Sequence, residues 1–127
     1  MNFEKVMFAF FIVLALTLNF GFFIGEIDDP NHHDMLELAA ALIVSLIATI
    51  MKFGDRSQMG AVLLATSLVA DLQLLIAAGI WIWAVNVSVD GTTTVAIARI
   101  VSLSGGALLA NLVSVTLLIA ETISIRR

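Results

Sequence analysis

Met59-Gly-Ala-Val-Leu-Leu-Ala-Thr-Ser-Leu-Val-Ala-Asp71-Leu-Gln73-Leu-Leu-Ile-Ala-Ala-Gly-Ile-Trp81-Ile-Trp83-Ala-Val-Asn-Val87 carries a single charge, Asp71. A helix needs about 20 mainly apolar residues to cross about 30 Å of hydrocarbon, and this stretch exceeds that. Three further windows meet the same length and hydropathy. The pattern predicts helices over residues 6–25, 35–51, 59–87 and 94–123. The last two are longer than the bilayer demands, which predicts tilt or projection beyond the lipid.

Composition agrees. Of 127 residues, 61% are hydrophobic and 13% charged, and the mean hydropathy is +1.09. Soluble domains are about 45–50% apolar and about 25% charged, so lipid is the solvent this chain fits. The absence of cysteine excludes disulfides and thiolate metal sites. The net charge of −4 argues against a nucleic-acid partner. The apolar run after Lys5 is too long for a secretory signal and lacks a small-x-small cleavage site, so it is expected to be a mature helix. The whole of 1–127 reads as one transmembrane domain.

Short connections join the windows, which predicts an all-α integral membrane bundle of antiparallel helices, up-down-up-down. Asp34 fits the N-cap of helix two, with Glu37 completing a capping-box pattern. Gly54 fits the C-cap of the same helix. Lys5, Lys52, Arg56, Arg126 and Arg127 fall on one side of such a bundle and only Arg99 on the other. By the positive-inside rule both termini are expected in the cytoplasm of a cell with an inner (plasma) membrane, and Trp81 and Trp83 fit an outer aromatic belt.

Helices in lipid associate through small residues. Helix four repeats them at every fourth position, Ala98, Ser102, Gly106, Ala110 and Ser114, and helix one has Thr17, Gly21 and Gly25. The stripes fit contact inside one subunit or between subunits. A chain this small leaves little room for a pathway of its own, so transport would place the path on the axis of a homo-oligomer.

An ionisable residue at a helix centre costs about 2.5–3.5 kcal/mol on insertion scales and is commonly functional. Asp71 shares a face with Gly60, Leu64, Ser67, Leu74 and Ala78, whereas Gln73 lies about 200° away beside Thr66, Ala70 and Ala77. Helix three therefore has two polar faces, one suited to its own bundle and the other to a neighbouring subunit or a water-filled path. Asn111 and Asn19 are the candidate partners of Asp71, which reads either as an ion or proton site or as a hydrogen-bonded clamp. Glu37, Ala41, Ser45, Thr49 and Lys52 share a face of helix two, a polar lining or a set of interfacial caps. Arg99 is expected to pair with an acid of the first connection or to snorkel outward.

That first connection is dense in charge. Glu26, Asp28, Asp29, Asp34 and Glu37 accompany His32 and His33 within twelve residues. Around an oligomer axis these carboxylates would form a cation-attracting ring, suited to Ca²⁺ or Mg²⁺, or if weaker to Na⁺ or K⁺. The histidines with neighbouring acids admit a transition-metal site. Helix capping accounts for Asp34 and Glu37 without either. No nucleophile–base pair or phosphate loop is present, so neither an enzyme nor an organic cofactor is expected.

The stretches Phe22-Phe-Ile-Gly-Glu-Ile-Asp-Asp-Pro-Asn-His-His-Asp34 and Lys52-Phe-Gly-Asp-Arg-Ser-Gln-Met-Gly-Ala-Val-Leu-Leu-Ala-Thr-Ser-Leu-Val-Ala-Asp-Leu-Gln73 resemble those of small uncharacterised bacterial four-helix inner-membrane proteins. The resemblance covers most of the chain, implies the four-helix fold and carries no established activity. The expected function is that of a small homo-oligomeric cation-conducting protein. It would have an acidic outer mouth and Asp71, with Asn111 or Asn19, at the midplane. The alternative is an accessory subunit of a larger transporter.

Overall fold

A computed structural model describes residues 3–24, 33–55, 57–86 and 94–126. These residues form four helices and no strand: α1 (Phe3–Phe23), α2 (Met35–Lys52), α3 (Gln58–Asn86) and α4 (Thr94–Arg126). Each is long and apolar enough to cross a membrane, as expected of a multi-pass membrane protein.

The helices outrun the apolar windows at their polar ends. α1 starts at Phe3 and includes Glu4 and Lys5, because an acid in the first turn complements the helix dipole even where hydropathy has ended. Asp34 caps α2, its side chain accepting the Leu36 N–H at 2.9 Å. At the other end of α2 the cap is Phe53, with right-handed backbone, its N–H donating to Ile50 O at 3.2 Å. Gly54 therefore lies one residue past the cap and has no left-handed backbone, so no glycine is required there.

The α2–α3 turn is instead held by side chains. Ser57 caps α3 by accepting the Gly60 N–H at 3.0 Å. Asp55 Oδ1 accepts from Ser57 N at 2.9 Å and from Ser57 Oγ at 2.7 Å. Those two bonds, with Lys52 3.4 Å away, hold the Asp55 carboxyl below its usual range. A Cβ on Gly60 would collide with that carboxylate.

α1 packs on α2 and α4, and α3 on α2 and α4, so the four helices close a ring. Its interior is rich in small side chains: Ala15, Ala41, Ala48, Ala70, Ala77 and Ala107 are fully buried. Larger apolar groups form two plugs. Phe8, Ile12 and Leu63 cluster at one end. Phe22, Leu38, Leu74 and Ile97 belong to the other cluster, where the Phe22 ring reaches across to Trp81 at 6.0 Å. Many large apolar side chains, among them Leu72, Leu75, Ile76 and Leu109, face outward, the reverse of a soluble bundle. Near the Phe8 plug Lys5 lies 3.8 Å from Glu121, and Lys52 Nζ sits 4.2 Å over the Phe8 ring.

Candidate functional site

Asp71 occupies the middle of α3 and is only 4% exposed. Its two oxygens are met by a single neighbour, α2. Ser45 Oγ donates to Oδ1 at 2.6 Å and Thr49 Oγ1 to Oδ2 at 2.5 Å. Residues four apart on a helix stack on one face, so Ser45 and Thr49 present their hydroxyls side by side. Thr49 Oγ1 also lies 2.9 Å from the Ser45 carbonyl oxygen, giving its one hydrogen two acceptors within reach.

The expected partners of Asp71 lie elsewhere. Asn19 is fully buried on α1 and accepts from Ser104 Oγ of α4 at 2.5 Å, with its Nδ2 left unpartnered. Asn111 is fully buried on α4, and neither its Oδ1 nor its Nδ2 meets a protein partner. Ser67 Oγ, buried one turn before Asp71 on α3, is likewise unpartnered. Sequence separates the faces of each helix but not the rotation of one helix against the next, and that rotation assigns Asp71 to the hydroxyls of α2. The shared face of Ala41, Ser45 and Thr49 was the available signal for them, since all three are buried.

Both polar faces of α3 are used within the same subunit. Asp71 turns to α2. Gln73 turns to α4, where its amide lies so close to Gly106 that a Cβ there would come within 2.6 Å. Below it Thr66 Oγ1 and Ser114 Oγ share a hydrogen bond at 2.5 Å. Of the α4 stripe, Gly106 and Ser114 thus serve the α3 seam, while Ser102 is exposed. On α1, Gly21 receives the Glu37 carboxylate, which a Cβ would displace.

The acidic segment is divided. Glu26, Asp28, Asp29 and His32 lie outside the described residues, as does Gly25 of the α1 stripe. His33 is buried, its Nδ1 2.6 Å from Phe22 O and its ring 5.4 Å from that of Phe22. Asp34 is the exposed cap and Glu37 is half-buried against α1. Among the described residues no three His, Asp or Glu side chains are grouped to hold a metal ion. Arg99 is exposed beside a shallow recess of about 580 Å³ lined by Ile80, Val95, Ala98, Ser102 and Leu103. A second cavity, of about 750 Å³, opens at the Phe8 end between Glu4, Lys5, Met51, Lys52 and Asp55.

No curated protein and no solved structure matches the chain. A match to one family spans α2, α3 and most of α4, and so takes in Asp71, Ser45, Thr49, Ser67 and Asn111 while leaving Asn19 outside it. With residues 32–122 matched, the chain belongs to DUF6394, a family of unknown function.

Proposed function

We propose that this is a small homo-oligomeric protein of the inner membrane that moves cations, with Asp71 as the mid-membrane binding group. The observation that carries the reading is the lack of a counter-charge on Asp71 among the described residues. Asp71 is the only ionisable side chain in the middle turns of any of the four helices, and its neighbours are hydroxyls. A buried carboxylate unmatched by a protein cation is costly in low dielectric. A mobile cation that neutralises it removes that cost, which makes the site a natural stop on a cation path.

The proposed topology is up-down-up-down with both termini in the cytoplasm. The Lys5–Glu121 approach and Lys52 over Phe8, which bring the start of α1, the end of α2 and the end of α4 to one side, support it, as does the basic bias of that side. Asp71 and Gln73 both turn into their own bundle, so each subunit carries its own binding group. The carboxylates of the first connection, Glu26, Asp28, Asp29, Asp34 and Glu37, which His32 and His33 accompany in the sequence, concentrate cations at the outer end. The ion set includes H⁺, Na⁺, K⁺ and Ca²⁺.

The decisive measurement is cation flux into proteoliposomes. Wild type is expected to exceed empty liposomes clearly, Asp71→Asn to lose at least tenfold of that flux, and Asp28→Asn/Asp29→Asn to lose a few-fold. Equal flux in wild type and Asp71→Asn would overturn the role of Asp71. Flux no greater than in empty liposomes would overturn cation movement itself.

A second reading, an accessory subunit of a larger transporter, draws on the α4 surface. Ala98, Arg99 and Ser102 line an outward recess that fits a partner helix. Purification in mild detergent with native mass measurement separates the two: a closed homo-oligomer supports the first, a stoichiometric different protein the second.

A further inference from the structure

We propose that the cation handled at Asp71 is the proton, and that Ser67 and Asn111 hold buried water that completes its relay. This rests on the reading of Asp71 as a cation-translocating group.

Three features of the bundle converge on the proton. The first is the double setting of Thr49. Its hydroxyl hydrogen can point to Asp71 Oδ2, at 2.5 Å, or to Ser45 O, at 2.9 Å. In the first setting Thr49 donates to an ionised carboxylate. In the second, the short contact to Asp71 is completed by a hydrogen on the carboxyl, which donates to Thr49. One heavy-atom arrangement therefore accommodates Asp71 with or without a proton, and only a hydroxyl rotates between the two.

The second is the supply of unmet hydrogen-bonding groups at the same level of the bundle. The Thr66–Ser114 bond and the Gln73–Gly106 contact pin α3 against α4 at two heights. Between those heights lie Ser67 and Asp71 on α3 and Asn111 on α4. Ser67 Oγ and both polar atoms of Asn111 are buried without a protein partner. Buried polar groups without protein partners are as a rule met by ordered water. A hydroxyl, a carboxyl and water each donate and accept through the same oxygen, so a chain of them passes a proton from member to member, with the Asn111 amide holding the water in place.

The third is the poor fit to a metal ion. A hard cation collects several oxygen lone pairs, about six to eight for Ca²⁺. Around Asp71 each carboxylate oxygen is instead taken up by a hydrogen bond with one hydroxyl, Ser45 Oγ or Thr49 Oγ1. Among the described residues no ionisable side chain is bonded to Asp71: α2 offers Ser45 and Thr49, and its charged residues, Glu37 and Lys52, lie at its ends. The charged residues of α4, which are Arg99, Glu121 and Arg126, also lie toward its ends. Met51, two residues and about 3 Å of helix rise past Thr49, lines the cavity at the Phe8 end, which is the inner end that the relay requires.

The step conserves atoms and charge. A water held by Ser67 and Asn111 passes a proton to the Asp71 carboxylate and takes one from the next water in line. Release toward the opposite end returns the carboxylate, so one H⁺ crosses and no electrons move.

The test is proton uptake into proteoliposomes under a pH gradient with the potential clamped, in parallel with Na⁺ and K⁺ uptake. Proton uptake that persists when choline replaces alkali cations is expected. Asn111→Leu should lower it at least tenfold, while Asn111→Ser, which keeps a hydroxyl to hold water, should retain most of it. Should Asn111→Leu fail to assemble, Ser67→Ala, which removes a single atom, decides in the same assay with a several-fold loss expected. Alkali-cation uptake without proton uptake overturns this inference and leaves the Asp71 reading standing. Absence of every flux overturns that reading instead. Proton uptake unchanged in Ser67→Ala and Asn111→Leu overturns the water-held relay.

Discussion

Thr49 shows how much one side chain settles in this interior. Thr49→Val keeps shape and removes the hydroxyl that donates to Asp71 Oδ2. Hydrogen bonds between membrane helices average about 0.6 kcal/mol, but stranding a buried acceptor costs about 1–3 kcal/mol, so the stranding dominates. Thr49→Val should destabilise the bundle by about 1–3 kcal/mol, with Thr49→Ser close to wild type, as read by thermal unfolding in mild detergent. Equal stability of the two variants would remove the clamp. Asp71 itself was legible in the sequence as a group that needs a partner, whether ion site or clamp, because a lone carboxylate amid apolar residues is costly in the membrane. Its partners were not. Ser45 and Thr49 are ordinary in a membrane helix, and nothing in a linear string says which face of α2 meets which face of α3.

The same distinction recurs among the helices. Hydropathy located four spans, and the helices extend past them at Phe3 and Arg126 because charged residues are good helix formers outside the lipid. The small-residue stripe of α4 was legible as a contact surface, but its division was not. Gly106 and Ser114 meet α3, and Ser102 faces out, since a stripe four residues apart drifts slowly around a helix of 3.6 residues per turn. Gly106→Val should therefore push Gln73 off its seat and part α3 from α4, at an overpacking cost of about 1–3 kcal/mol. Ser102→Val, on the outer surface, should stay within about 0.5 kcal/mol of wild type. Denaturant titration of helicity in mixed micelles measures both. Comparable losses in the two variants would show that the seam is not where the seat of Gln73 places it.

At the level of the whole molecule, the chain carries no cysteine, so single cysteines report sidedness directly. Leu36 is 76% exposed at the start of α2 and Phe53 is 65% exposed after its end. On the proposed topology a membrane-impermeant thiol reagent labels Leu36→Cys in intact cells, and labels Phe53→Cys only after the cytoplasmic side is opened. Labelling of both from the same side would exclude that topology. The alanine-lined interior and the leucine-rich exterior have a calorimetric consequence. When the four helices part in lipid, the surfaces they uncover meet hydrocarbon rather than water. The large heat-capacity increment that accompanies wetting of apolar surface is then absent from helix separation. The tertiary stability of this bundle should vary with temperature almost linearly, without the dome that gives soluble domains a temperature of maximum stability.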